Sequence, residues 1–136
     1  MLMCTECKVV VLVPGKSAAD KRYSAIKHIM DTLGSGEVIV EGKHDVNTLS
    51  RLGISSITLG SFGKMQGGKI PMRLFIMMDL DKGGDIKERE AVSLAMERYP
   101  NCTVDTETGK RFLKMLNLTS IEQAYCPVRE IIESGE

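Results

Sequence analysis

VIVEGKHD at Val38–Asp45 and FIMMDLDKGGD at Phe75–Asp85 decide how this chain is read. Each begins as an apolar run of strand length and breaks into carboxylates and glycine where a strand would stop. If the two strands are parallel neighbours, Glu41, Asp79 and Asp81 arrive at the same edge of one sheet. Three carboxylates gathered there repel one another unless a cation neutralises them, and the natural occupant is a hard, oxygen-seeking ion such as magnesium. Side chains alternate along a strand, so Asp79 and Asp81, two apart, are expected to point the same way and share one ion. Gly83 and Gly84 let the backbone turn tightly. Asp85 then opens a helix, where a carboxylate suits the dipole and can touch metal-bound water. Gly42 keeps the backbone thin beside a ligand, and Lys43 is placed to meet a phosphate oxygen or to balance the acids.

Outward from these stretches, strands and helices alternate. Lys8–Val13 is a continuous β-branched run that suits a buried strand. Ser17 is a cap for the helix that follows, whose stripe of Ile26, Ile29, Met30 and Leu33 stops at Gly34-Ser35-Gly36. Val38–Val40 is the next strand, Asp45–Leu52 a short helix stopped by Gly53, and Ser56–Leu59 another strand. Gly60–Pro71 is a glycine-rich loop too irregular for either periodicity. Arg73–Met78 is the most apolar strand and hence the central one. Asp85–Arg98 is a helix with Ile86, Ala91, Leu94 and Ala95 facing inward, ended by Tyr99-Pro100. Cys102–Val104 is a short strand and Glu107–Leu116 a final clear helix. From Ile121 to Glu136 the tail reads as a strap across the surface. This alternation argues for an α/β fold with a parallel sheet covered on both faces. In such sheets function sits beyond the carboxyl ends of the strands, where both acidic stretches fall.

Either acidic stretch alone is explained as well by a turn and a helix cap. The pair, each at a strand–loop–helix junction, is far more specific. E-G-K-x-D (Glu41, Gly42, Lys43, Asp45) followed by D-x-D-x-x-G (Asp79, Asp81, Gly84) resembles the toprim domain of topoisomerases, bacterial-type primases and several nucleases. The resemblance covers roughly residues 37–104, and the whole chain is most similar to small stand-alone toprim proteins of archaea and some bacteria. It implies a three-layer, Rossmann-like toprim fold with a mostly parallel four-stranded sheet. It also implies a Mg2+ site, with Mn2+ as a substitute, in which Asp79 and Asp81 hold the ion. Glu41 would serve as general acid or base, or as a further ligand. Asp85 stands where relatives carry another acid, with a shorter side chain than in the topoisomerases.

The chain is too short for the separate nucleophilic-tyrosine domain of topoisomerases, and Tyr23, Tyr99 and Tyr125 show no sign of activation. The zinc and basic domains that flank primases are also missing. The expectation is therefore a single domain over residues 1–136 that processes nucleic-acid phosphodiesters in a nuclease-like way. Glu41, Lys43, Asp79 and Asp81 would be catalytic, with RNA or DNA as partner. A non-catalytic, metal-dependent docking module of a larger processing complex and a small-molecule phosphohydrolase are the alternatives.

At 136 residues the chain can bury a real core. Aromatics are scarce, with no Trp, three Phe and three Tyr, so the nine methionines are expected to fill core space. Eighteen basic and eighteen acidic residues balance, which excludes binding long nucleic acid by bulk charge alone. No apolar run approaches the roughly 20 residues that span a bilayer, so no membrane role and a cytoplasmic location are expected, with the four cysteines as thiols.

Weaker signals complete the reading. Gly15-Lys16-Ser17 fails as a phosphate-binding loop because Val10 stands where the first glycine is required. Cys4-x-x-Cys7 is half a zinc site, and neither Cys102, Cys126, His28 nor His44 shows the paired spacing to finish it. Lys64 and Lys69, among glycines, are candidates for a phosphate clamp over the metal, against a plain mobile loop. Lys110, Arg111 and Lys114 form a basic helix patch best explained as a solvated face.

Overall fold

The structure, a computed structural model, describes residues 18–65 and 73–135. In order these form α1 (Ala18–Leu33), β1 (Glu37–Val40), α2 (Lys43–Arg51), β2 (Ser56–Thr58), α3 (Leu59–Lys64) and β3 (Arg73–Ile76). There follow α4 (Lys82–Arg98), β4 (Thr103–Asp105), α5 (Thr108–Met115), a 3-10 turn at Ile121–Gln123, and α6 (Tyr125–Gly135). The four strands are all parallel, in the order β2-β1-β3-β4. Lys8–Val13, read as a strand, lies outside the described residues, as do Cys4, Cys7 and the Gly15-Lys16-Ser17 stretch.

Period-two alternation sorts the strand side chains into two cores. Val38, Val40, Phe75 and Met77 pack with Ile26, Ile29 and Leu33 of α1, Leu49 of α2, Phe112 and Leu113 of α5, and Val128 and Ile131 of α6. Ile39, Leu74, Ile76 and Met78 face the other way, against Phe62 of α3 and Ala91 and Ala95 of α4. The result is three layers: helices, sheet, helices. Met77 and Met78 are both buried, as the shortage of aromatics leads one to expect, whereas Met96 is 63% exposed.

Three local expectations are corrected. Residues 59–64 are helical despite Gly60 and Gly63. Thr58 Oγ1 accepts from the Ser61 N–H at 3.0 Å, Phe62 is driven into the core, and the Arg98 guanidinium donates to the carbonyls of Phe62 and Met65 at 3.2 and 2.8 Å. The tail is no loose strap. After the 3-10 turn, α6 lies on α1, with Pro127 in its first turn, where a missing N–H costs nothing. Ile86 points to solvent, 55% exposed, because α4 buries only a narrow stripe of small residues.

Helix stops follow the sequence closely, whereas α2 begins at Lys43 rather than Asp45 and α4 at Lys82 rather than Asp85. Gly53, at φ +82°, closes α2: its N–H donates to Ser50 and that of Ile54 to Leu49, the paired bonds of a Schellman stop. Asn117, at φ +59°, ends α5 with the same pair of bonds.

Candidate active site

The helix after β1 packs on one face of the sheet and the helix after β3 on the other, since Leu49 joins one core and Ala91 and Ala95 the other. β1 and β3 are neighbours, so the chain diverges between their carboxyl ends and leaves a crevice. This is the topological switch point at which open α/β sheets bind ligands. Glu41 leaves β1 at this point and Asp79 leaves β3. Ile39 pairs with Ile76, and the Met77 N–H reaches the Ile39 carbonyl at 2.9 Å, which carries the ladder one step further. Glu41 and Asp79 therefore depart from adjacent strand ends, about 4.8 Å apart across the sheet.

On the β1 side, Gly42 is the extended cap of α2 and Lys43 its first residue. Glu41, Lys43 and His44 are exposed, whereas Asp45 is only 6% exposed. The Gly42 N–H donates to Asp45 Oδ2 at 3.3 Å, which fixes the carboxylate under the turn. Burial pushes the Asp45 carboxyl above the usual carboxylate range. The Gly42 bond works against the shift, and the charges of Asp79, Glu122 and Glu41 add to it. Four acids therefore share one electrostatic neighbourhood. Glu122 is one that sequence reasoning missed: it sits on the 3-10 turn, in the tail read as a strap.

On the β3 side the regular strand stops at Ile76 and the chain bends at Leu80, so strand alternation does not govern Asp79 and Asp81. Asp79, half-buried, accepts the Ile121 N–H at Oδ1 (3.1 Å), and the Leu80 N–H donates to the Thr119 carbonyl at 2.8 Å. The C-terminal turn is thus clipped to the end of β3. Asp81 caps α4: its Oδ1 accepts the Gly84 N–H at 2.6 Å. Gly84 is needed for space rather than for a turn. A β-carbon there would run into the Asp79 carbonyl, lying 2.8 Å from its carbon. Asp85 is exposed in the first turn of α4.

Among the described residues no lysine or arginine pairs with Glu41, Asp45, Asp79, Asp81 or Asp85. No hydrogen bond among them engages either oxygen of Glu41, Asp79 Oδ2 or Asp81 Oδ2. These are hard oxygen donors, right in kind for magnesium. As the side chains stand, no three Asp, Glu, His or Cys groups among the described residues converge closely enough to hold a metal ion.

On the far flank of β1, an open trough of about 530 Å³ runs over the carboxyl end of β2 between the starts of α2 and α3. Glu41 and Lys43 stand at its edge. Lys64, exposed at the end of α3, is not among the residues lining it, and Lys69 lies outside the described residues.

The other candidates take structural roles. Tyr99 is buried against Phe62, ring centres 5.9 Å apart, and Tyr125 lies 3.8 Å beneath the Arg51 guanidinium. Lys110 is bridged to Glu88 at 3.2 Å and Glu107 at 3.6 Å, which removes it from any free basic patch. Cys102 and Cys126 are free thiols. No helix among the described residues is long and apolar enough to cross a membrane.

No family model and no curated protein matches this chain. Among solved structures it is similar to a protein from Aquifex aeolicus, 26% identical, with a TM-score of 0.59, over 74% of this chain and 94% of that one. That protein's description carries no activity. The fold itself is of the doubly wound, Rossmann-like α/β class.

Proposed function

We propose that this protein is a magnesium-dependent, toprim-like enzyme that hydrolyses phosphodiester bonds in nucleic acid. The observation that carries the reading is that Glu41 and Asp79 leave neighbouring parallel strands at the β1/β3 switch point, and that neither they nor Asp81 have a cationic partner among the described residues. The toprim resemblance of both stretches supports it. Lys43 supports it too, because a lysine in the first turn of a helix opposes the dipole and is better explained by a phosphate it meets.

Asp79 and Asp81 would hold the ion, with Asp85 reaching its water shell. When bound, magnesium neutralises charge on the phosphate as the attacking and leaving oxygens exchange. Glu41 takes the proton of the attacking water, Lys43 steadies a non-bridging oxygen, and the departing oxygen is protonated from solvent.

The test is magnesium-dependent cleavage of single- and double-stranded RNA and DNA by the wild type and by an Asp79→Asn Asp81→Asn double variant. Asparagine caps a helix as well as aspartate, so the variant keeps α4. Equal cleavage by both proteins refutes the proposal. One observation favours a second reading, a metal-dependent docking module without turnover: eighteen basic against eighteen acidic residues give little long-range grip on a polyanion. That reading expects binding and no cleavage under any divalent ion. Turnover of nucleotides or simple phosphate esters, without action on polymers, would point instead to a small-molecule phosphohydrolase.

A further inference from the structure

We infer that the trough beside Glu41 receives one unpaired nucleotide next to the phosphate being cut, so that the enzyme acts on single strands or frayed ends. The inference rests on the proposed function and adds its substrate class. Geometry comes first. β1 lies between β3 and β2, so Glu41 stands between the acids at the end of β3 and the trough at the end of β2. A phosphodiester placed at the acids would leave its neighbouring nucleoside one strand spacing away, over the trough. The volume, about 530 Å³, falls within the span of small-ligand pockets.

The lining chemistry fits a nucleoside. Val46 and Ile57 are the trough's apolar lining residues, and Asn47, Ser56, Thr58 and Ser61 add an amide and three hydroxyls, those of Thr58 and Ser61 bonded to each other at 3.0 Å. An amide offers both a donor and an acceptor, as the edge of a base requires, and hydroxyls suit a ribose. Lys43 at the rim answers the phosphate.

A second, independent observation is Ser56 Oγ, which is buried with no hydrogen-bond partner. Native proteins rarely leave such a group unpaired without a reason. Ser56 also lines the trough, so a ligand seated there is the partner we assign to this oxygen. No aromatic side chain lines the trough among the described residues, so a base held here is read along its edge rather than by stacking. That edge is the Watson–Crick edge, which pairing occupies in a duplex, so the substrate proposed is an unpaired base.

The test is a titration of the 15N-labelled full chain with nucleoside 5′-monophosphates in metal-free buffer, with inorganic phosphate as comparator. Saturable shifts are expected at the amides of Val46, Asn47 and Ser56–Ser61 with the nucleotides, and around Lys43 alone with phosphate. Ser56→Ala should weaken nucleotide binding about fivefold, one hydrogen bond's worth, while melting no lower than the wild type because it deletes an unpaired buried hydroxyl. Asn47→Leu, at an exposed position on α2, should weaken it at least as much. Shifts elsewhere, no saturation by millimolar nucleotide, the same pattern with phosphate, or unchanged affinity in both variants would each overturn the inference. Cleavage is not read in this titration. Binding in the trough without turnover counts against the proposed enzyme only, and turnover without shifts in the trough counts against the nucleotide subsite only.

Discussion

Gly84 and Gly83 are adjacent glycines in the first turn of α4, and alanine should do opposite things at the two positions. Replacing helical glycine by alanine is worth up to about 1 kcal/mol of stability. At Gly83 the new methyl would meet only Asp81 Oδ1, 3.4 Å away, an ordinary contact. Gly83→Ala should therefore stabilise by roughly 0.5–1 kcal/mol. At Gly84 the methyl would strike the Asp79 carbonyl, with the Asp79 carbon at 2.8 Å and nitrogen at 3.2 Å. These are backbone atoms, so no side chain can swing aside. Relief requires the start of α4 to move away from the end of β3, which strains packing by about 1–3 kcal/mol. The cap from Asp81 Oδ1 to the Gly84 N–H is then weakened by about 1 kcal/mol more. Against the propensity gain, the net loss is roughly 1–3 kcal/mol, or about 4–12 °C in melting temperature for a chain of this size. The chain has no tryptophan, so far-UV circular dichroism through a urea or thermal transition is the natural assay. A Gly84→Ala protein as stable as the wild type would show that α4 does not pack against Asp79 as described.

Asp45→Asn keeps an acceptor for the Gly42 N–H and removes a charge facing Asp79, Glu122 and Glu41. It should stabilise at neutral pH by on the order of 1 kcal/mol. Because the folded protein holds this carboxyl high, the wild type is penalised above the unfolded value and relieved as pH falls through the folded one. The gap between the two proteins in urea should therefore close in acid; a gap that widens there contradicts the assignment. Asp105 behaves in the opposite sense. Burial alone would raise it, but bonds from the Thr108 N–H and hydroxyl and the Glu107 N–H, with help from Arg73, hold it low. Its stabilisation is present above the unfolded carboxylate value and is lost as pH falls through the folded one. Asp105→Ala should cost about 1–2 kcal/mol at pH 7 and much less in strong acid, read by the same urea transitions. Arg98→Ala frees the Phe62 and Met65 carbonyls, so amide exchange across α3 should quicken about tenfold while β3 is unchanged; equal protection of α3 in both proteins would deny the clamp.

What could be read in advance was whatever a local pattern records. Val38, Ile39 and Val40 are β-branched and continuous because both faces of β1 are buried, and Gly53 marks a positive φ that few other residues adopt. Asp81 and Gly84 were legible as a motif, although their partnership is a helix cap and a close approach rather than a turn. The failures arise where a distant residue decides. Nothing within residues 59–64 reveals that Arg98 will hold their carbonyls, and glycine's low propensity points the other way. Val128, Ile131 and Ile132 carry a helical spacing in the tail that the reading as a strap passed over. The share of Ile121 and Glu122 in the site was invisible. A backbone N–H forty-two residues away leaves no trace in the sequence around Asp79.

The way the acids are held bears on the chemistry. Asp79 is fixed by the Ile121 N–H, Asp81 by the Gly84 N–H and Asp45 by the Gly42 N–H. All three donors are neutral backbone groups. A lysine or arginine would orient a carboxylate equally well but would also cancel its charge, as Lys110 does for Glu88 and Glu107 elsewhere in the fold. Backbone donors set direction and leave most of the negative charge in place. A protein selected for stability alone would gain by pairing or removing that charge, since like carboxylates repel. Keeping it, at the crevice between β1 and β3, is what the proposed magnesium site would require.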